Sequence, residues 1–199
     1  MQTHYRRFLP HIHPPGAALF LTMRLAGSLP QAIVDELREA RLDYHQHFVR
    51  FEAQLEIGGF GPTWLGRPAI YELILAGLHR QHANDHYALL AACTMPNHLH
   101  LVLRLPDSPS EAFFRVMQRF KSATGVKANR LLGRSGRFWQ HETYDHVVRE
   151  SQPDALLKAI RYTAYNPVKA GLCRHWQQWG GTYVTAEWHE LLEPAPIAP

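Results

Sequence analysis

The sequence predicts an α+β fold: an antiparallel sheet with helices laid on one face. Three observations carry that expectation. Short apolar or alternating runs over residues 17–25, 87–93 and 98–105 have the character of strands. The longer segments between them return apolar residues every three or four positions, as helices do. Glycine and proline clusters separate the two kinds of segment.

Taken in order, residues 1–16 form a basic N-terminal arm, closed by Pro14-Pro15-Gly16. Residues 17–25 (AALFLTMRL) read as the first strand, broken by Gly27-Ser28. Pro30 suits a first helical turn, and one long helix is expected to about residue 56, with Ile33, Val34, Leu37, Ala40 and Leu42 on one side. Residues 57–68 hold four glycines and two prolines and read as a loop, so 30–68 is an insertion of helix and loop. A helix over 69–81 follows, then strands over 87–93 and 98–105 about the turn Thr94-Met95-Pro96-Asn97.

Ser108 or Ser110 is placed to cap a helix running to about Leu132, with Phe113, Val116, Met117 and Phe120 inward. A strand is expected over 144–148. Ser151-Gln152-Pro153-Asp154 has the form of a capping box, with Asp where Glu is commoner, and its helix should stop at Pro167. Residues 173–199 read as an irregular, tryptophan-containing tail with a frayed tip. Phe138 and Trp139 are expected in the core.

Composition narrows the class. Hydrophobic residues make up 46% of the 199 and charged residues 19%, enough for a core and too apolar for wholesale disorder. Lys and Arg exceed Asp and Glu by 21 to 17, so the chain tolerates a polyanion without requiring one. Two cysteines exclude a disulfide scaffold or a four-cysteine zinc site. No run approaches the length of a membrane span, and the N-terminus lacks a signal-like apolar core. The expectation is a cytoplasmic protein with reduced thiols, without a membrane partner.

His98-Leu99-His100 is the sharpest local feature. Residues two apart on a strand share a face, so both imidazoles stand side by side within reach of one ion, opposite the apolar row Leu99, Leu101, Leu103 and Leu105. With 14 histidines the pattern also arises at His11/His13 and His45/His47. Those two are read as incidental, one in the arm and one on a helix, where a spacing of two shares no face. Tyr162 and Asn166, four apart on the helix after Ser151, do share a face, and Ala155 and Ala159 extend it as a small-residue stripe. Taken alone, a helical tyrosine is more often packing than chemistry.

Three segments in order change that balance: MPNHLHLVL (95–103), RFWQHETYDHVVRE (137–150) and YTAYNPVKAGL (162–172). Together they resemble the REP-associated tyrosine transposases, single-tyrosine members of the group whose motif is His-hydrophobic-His. PGAALFLTMRL (15–25) resembles their first strand. The likeness covers about 15–25 and 69–172, within a domain over 17–172. Two features depart from the family pattern: the insertion is longer than a compact member needs, and the tail reads WQQWGGTY where relatives tend to show Trp followed by two serines.

The resemblance implies a ferredoxin-like antiparallel sheet and a transposase or endonuclease acting on single-stranded DNA. Tyr162 would be the nucleophile and Tyr165 its fallback. His98, His100 and Asn166 would hold Mg²⁺ or Mn²⁺. The substrate would be a palindromic hairpin of the REP kind, and the protein a monomer or homodimer. Lys121, in the family-like RFKSATG, would contact DNA, joined by Arg115 and Arg119 on the same helix and by Arg6 and Arg7 in a flexible arm. Two alternatives stay open: a hairpin-binding protein without chemistry, and a metal-dependent nuclease without a covalent intermediate.

Overall fold

A computed structural model describes residues 4–6, 10–40, 44–57 and 59–193. A five-stranded antiparallel sheet runs in the order β6-β3-β5-β4-β7. Its strands are β3 (Ala18–Leu25), β4 (Ala88–Thr94), β5 (His98–Arg104), β6 (Trp139–Val147) and β7 (Thr182–Val184). Ahead of it, β1 (His4–Arg6) pairs with β2 (Pro10–Ile12) in a separate two-stranded hairpin. Helix α3 (Pro68–Ala83) lies between β3 and β4, and helix α4 (Phe113–Leu131) between β5 and β6. The succession β3-α3-β4-β5-α4-β6 with β3 and β5 central is the ferredoxin-like arrangement expected.

The strand alternation sorts side chains into two cores. Leu19, Leu21, Met23 and Leu25 of β3, with Leu99, Leu101 and Leu103 of β5, pack under Ile70, Ile74 and Leu78 of α3 and Val116, Met117 and Phe120 of α4. Phe138 and Trp139 lie in this core as expected, and the Trp139 indole donates to Thr124 Oγ1 at 2.9 Å. Each such side chain, fully buried, contributes about 1.5–3 kcal/mol of transfer free energy.

The second face is not open to solvent, and here the one-sided expectation fails. Helix α5 (Ala155–Lys169) lays Ile160 and Ala164 on Ala18, Phe20 and Val102. Helices α1 (Gln31–Glu39) and α2 (Tyr44–Ile57) add a third cluster in which Leu37, Phe51 and Leu55 surround Tyr144. His98 and His100 of β5 are thus polar yet buried, because helices roof them.

Several local expectations are corrected. The single long helix is two, since Ala40 turns extended (ψ 124°), and Pro30 sits just before the first helical residue. Leu42 lies outside the described residues. Neither Ser108 nor Ser110 caps α4, which begins after Ala112 with no side-chain cap. Asp154 precedes α5 in the left-handed conformation (φ 60°), which the Ser151 capping box does not survive; no side chain caps that end. Pro167 lies inside α5, close enough to its end that one missing donor does not stop it: Ala170 N–H still bonds Asn166 C=O at 2.9 Å.

β6 begins five residues earlier than the strand expected at Tyr144. The tail is not wholly irregular either. Its β7 pairs with β4 (Cys93↔Thr182), followed by the short helix α6 (His189–Leu192). The frayed tip falls on residues 194–199, outside those described. Both cysteines are free thiols, and burial pushes Cys93 up to about 12. No described helix is long and apolar enough to cross a membrane.

Candidate active site

β5 is a central strand, so its register is set from both sides. Thr22 of β3 and Cys93 of β4 stand opposite His100, and Arg24 stands opposite His98. This fixes both imidazoles on the face covered by α5, at 1% and 0% exposure. Their Nε2 atoms converge to 2.9 Å. The outer nitrogens are held too: His98 Nδ1 donates to Asn97 Oδ1 at 2.6 Å, and His100 Nδ1 lies 3.1 Å from Thr22 Oγ1. The Asn97 amide is itself oriented, because its Nδ2 donates to the Leu55 carbonyl at 3.1 Å. With Nδ1 of His98 a donor, its Nε2 carries the lone pair. Burial pushes His98 down to about 3 and lowers His100 as well, so both rings are neutral at ordinary pH.

Helix α5 brings Tyr162 over this pair. Its ring centroid is 5.4 Å from that of His100 and 5.7 Å from that of Phe20. Burial, then the negative charges of Glu52 and Glu56, raise the phenol above its ordinary range. Tyr165 points elsewhere, donating to the Leu192 carbonyl at 2.8 Å. Asn166, one turn beyond Tyr162, is buried. Neither its Oδ1 nor its Nδ2 has a hydrogen-bond partner among the described residues.

The residue the sequence did not disclose is Glu52, on α2 within the insertion. Its Oε2 lies 3.3 Å from His100 Nε2 and accepts the Tyr162 hydroxyl at 3.1 Å. Its Oε1 is buried with no partner among the described residues. Burial raises this carboxyl to about 7. Glu56, one turn on, accepts from Lys169 Nζ at 2.8 Å and lies 3.4 Å from the Tyr162 hydroxyl. A signal was present: Phe48, Phe51, Glu52 and Leu55 follow helical spacing, and a carboxylate in an apolar stripe needs a partner.

Glu52, His98 and His100 offer ligand atoms within 4.8 Å of one another, all buried. Two inward imidazole nitrogens and a buried carboxylate form a mixed nitrogen–oxygen donor set that fits a divalent cation. The outward contacts of Asn97 and Thr22 supply the orienting shell such a site needs.

Beside Tyr162 opens a cleft of about 710 Å³, lined among others by Phe20, Phe48, Arg149, Ala155, Lys158 and Ala159. The small-residue stripe of α5 thus forms a wall of the approach to the phenol. The cations expected on α4 lie across the sheet from it. Arg115 is exposed, and Arg119 pairs with Glu111. Lys121 donates to the carbonyls of Gln140 (3.0 Å) and His141 (3.1 Å) and to Thr143 Oγ1 (2.6 Å). Arg6 lies in β1, paired with Pro10, and Arg7 lies outside the described residues. The described part of the arm is not free: it is a hairpin with His11 and His13 buried.

No protein-family model matches the chain. A Haemophilus influenzae protein named a REP-associated tyrosine transposase is 28% identical over 105 residues, which span 48% of this chain and 58% of that protein. A solved structure of a REP-associated tyrosine transposase bound to a REP hairpin aligns over 100% of this chain and 92% of its own, with a TM-score of 0.57 at 16% identity. The resemblance read from the motifs is thus borne out by a sequence relative, and the fold by a solved structure.

Proposed function

We propose that this chain is a single-stranded DNA transposase or endonuclease. It cleaves and rejoins palindromic hairpin DNA through a 5′-phosphotyrosine on Tyr162, with a divalent metal, Mg²⁺ or Mn²⁺, held by His98, His100, Asn166 and Glu52. One observation carries the reading: the Tyr162 hydroxyl and His100 Nε2 meet at the same carboxylate oxygen of Glu52. A nucleophile and a metal-type donor set therefore share one pocket. The relative and the solved structure described above support the choice of hairpin DNA.

In this reading the single-stranded segment enters the cleft beside Phe20 and Phe48, where aromatic faces suit unpaired bases and Lys158 and Arg149 suit phosphate. The Tyr162 oxygen attacks phosphorus, its proton passing to Glu52 Oε2. The bond from phosphorus to the 3′ oxygen breaks, and that oxygen leaves as a free 3′-OH after taking a proton. A second 3′-OH reverses the step, and the ester conserves the energy of the broken bond. The metal, when bound, polarises a non-bridging phosphate oxygen. His98 and His100 remain neutral throughout, oriented by Asn97 and Thr22. Lys121, Arg115, Arg119, Arg6 and Arg7 would contact the hairpin away from the cleavage point.

The test is cleavage of end-labelled hairpin DNA with Mn²⁺ or with EDTA, for wild type and Tyr162→Phe, on a denaturing gel. A metal-dependent protein–DNA adduct lost in Tyr162→Phe is expected. Cleavage that survives the substitution without an adduct would establish the hydrolytic nuclease instead. Hairpin binding without any cleavage would establish the binding protein.

A further inference from the structure

A second cluster lies across the sheet. His11 and His13, on and just after β2, are both buried against Asp145 of β6. His11 Nδ1 meets Asp145 Oδ1, and His13 Nε2 meets Asp145 Oδ2. The three offer ligand atoms within 4.8 Å of one another. Asp145 stands opposite Leu21 in register, on the α3/α4 side, and His13 packs edge-on against Phe113 of α4 at 4.9 Å. His100 stands opposite Thr22, on the α5 side. The two clusters are therefore separated by the sheet.

We propose that His11, His13 and Asp145 form a second metal site, structural in role, that takes a Zn²⁺-class ion and pins the N-terminal hairpin to the sheet at β6. Four features carry this. The donors are imidazole nitrogen and carboxylate oxygen, the set such an ion accepts. They come from two segments 132–134 residues apart, so an ion held there ties distant parts of the chain together. His11 has the outer contact typical of a ligating imidazole: with Nδ1 turned inward, its Nε2 lies 3.1 Å from Glu142 Oε1. The charges balance as well. A divalent cation with neutral imidazoles is offset by the carboxylates of Asp145 and Glu142.

β6 lies at one end of the strand order, where a strand edge needs cover. A hairpin of three-residue strands is marginal alone, so a metal at its base gives it an anchor.

The experiment measures zinc retained by the whole chain after gel filtration in excess Mg²⁺, together with the visible absorption of the Co²⁺-loaded protein. Wild type should retain about one zinc at this site and show the Co²⁺ bands of a low-coordinate centre. His98→Ala/His100→Ala should keep both signals, and His13→Ala and Asp145→Asn should lose them. Circular dichroism checks that the last two fold. If neither folds, the double histidine variant decides, because zinc it retains is held away from His98 and His100. Its melting temperature should then rise with Zn²⁺. The proposal is overturned if wild type keeps no zinc, if the double variant loses it, or if folded His13→Ala binds it as wild type does. None of these outcomes bears on the Tyr162 adduct, so this proposal and the proposed function fail separately.

Discussion

Among the described residues, two buried His-x-His pairs differ in almost everything except spacing. His98 and His100 lie on a strand flanked by two others, so the sheet aims them before any ligand arrives. His11 and His13 belong to a short hairpin outside the sheet, and what aims them is Asp145. The first pair is rigid by register, and beside it Glu52 keeps one carboxylate oxygen with no partner among the described residues. The second has its imidazoles paired to carboxylates. A site with spare valence suits turnover, and one whose donors are already engaged suits structure. Spacing alone therefore says little; the support beneath a pair decides its use.

The widest contrast should appear in cleavage. His100→Ala is expected to cut hairpin cleavage on the order of a thousandfold, as loss of a charge-stabilising group does. His13→Ala should leave the rate per folded molecule unchanged. Equal losses in both, measured as single-turnover rates, would erase the distinction.

In stability the order inverts. Asp145→Ala leaves two buried imidazoles without their anion and should cost about 3 kcal/mol in urea unfolding.

Glu52→Gln should move the other way in metal-free protein. Glu52 has a folded pKa of about 7, raised above its ordinary value by burial. The folded state therefore takes up a proton between roughly 4.5 and 7 that the unfolded state does not. Wild type gains stability as pH falls through that window, and above it carries a buried charge that the amide lacks. Near pH 8 the variant should be more stable by on the order of 2 kcal/mol, with the gap closing toward pH 5. An unchanging gap would show that the carboxyl does not titrate there.

The smallest effect is Lys121→Ala, which removes three contacts to β6 and, in the proposed reading, one contact to the hairpin; it should cost about 1 kcal/mol in stability and weaken hairpin Kd several-fold. An unchanged Kd in the folded variant would remove Lys121 from the DNA interface and leave it a purely structural residue.

What the sequence disclosed was what local spacing encodes. The alternation of β5 placed both histidines on one face, and the four-residue step from Tyr162 to Asn166 placed both on one side of α5. The succession of strands and helices pointed to an antiparallel α+β sheet, and the family resemblance added its ferredoxin-like form. What stayed hidden depends on partners far along the chain. Glu52 meets Tyr162 across 110 residues, and His11 meets Asp145 across 134. β7 was missed because three residues show no period, and its pairing with β4 is a tertiary event. Asp154 looked like the end of a capping box because spacing does not report a left-handed backbone.

The carboxylate beside Tyr162 is delivered by the connection between β3 and α3, not by the sheet that carries the histidines. That makes the length of one connection a variable of reactivity. A protein of this architecture with a short link there keeps its histidines and tyrosine but has no helix to bring an acid to them, and must take the phenolic proton by another route. Transplanting the α1–α2 stretch between such proteins would exchange proton acceptors while leaving every strand untouched, so chemistry and scaffold can diverge independently.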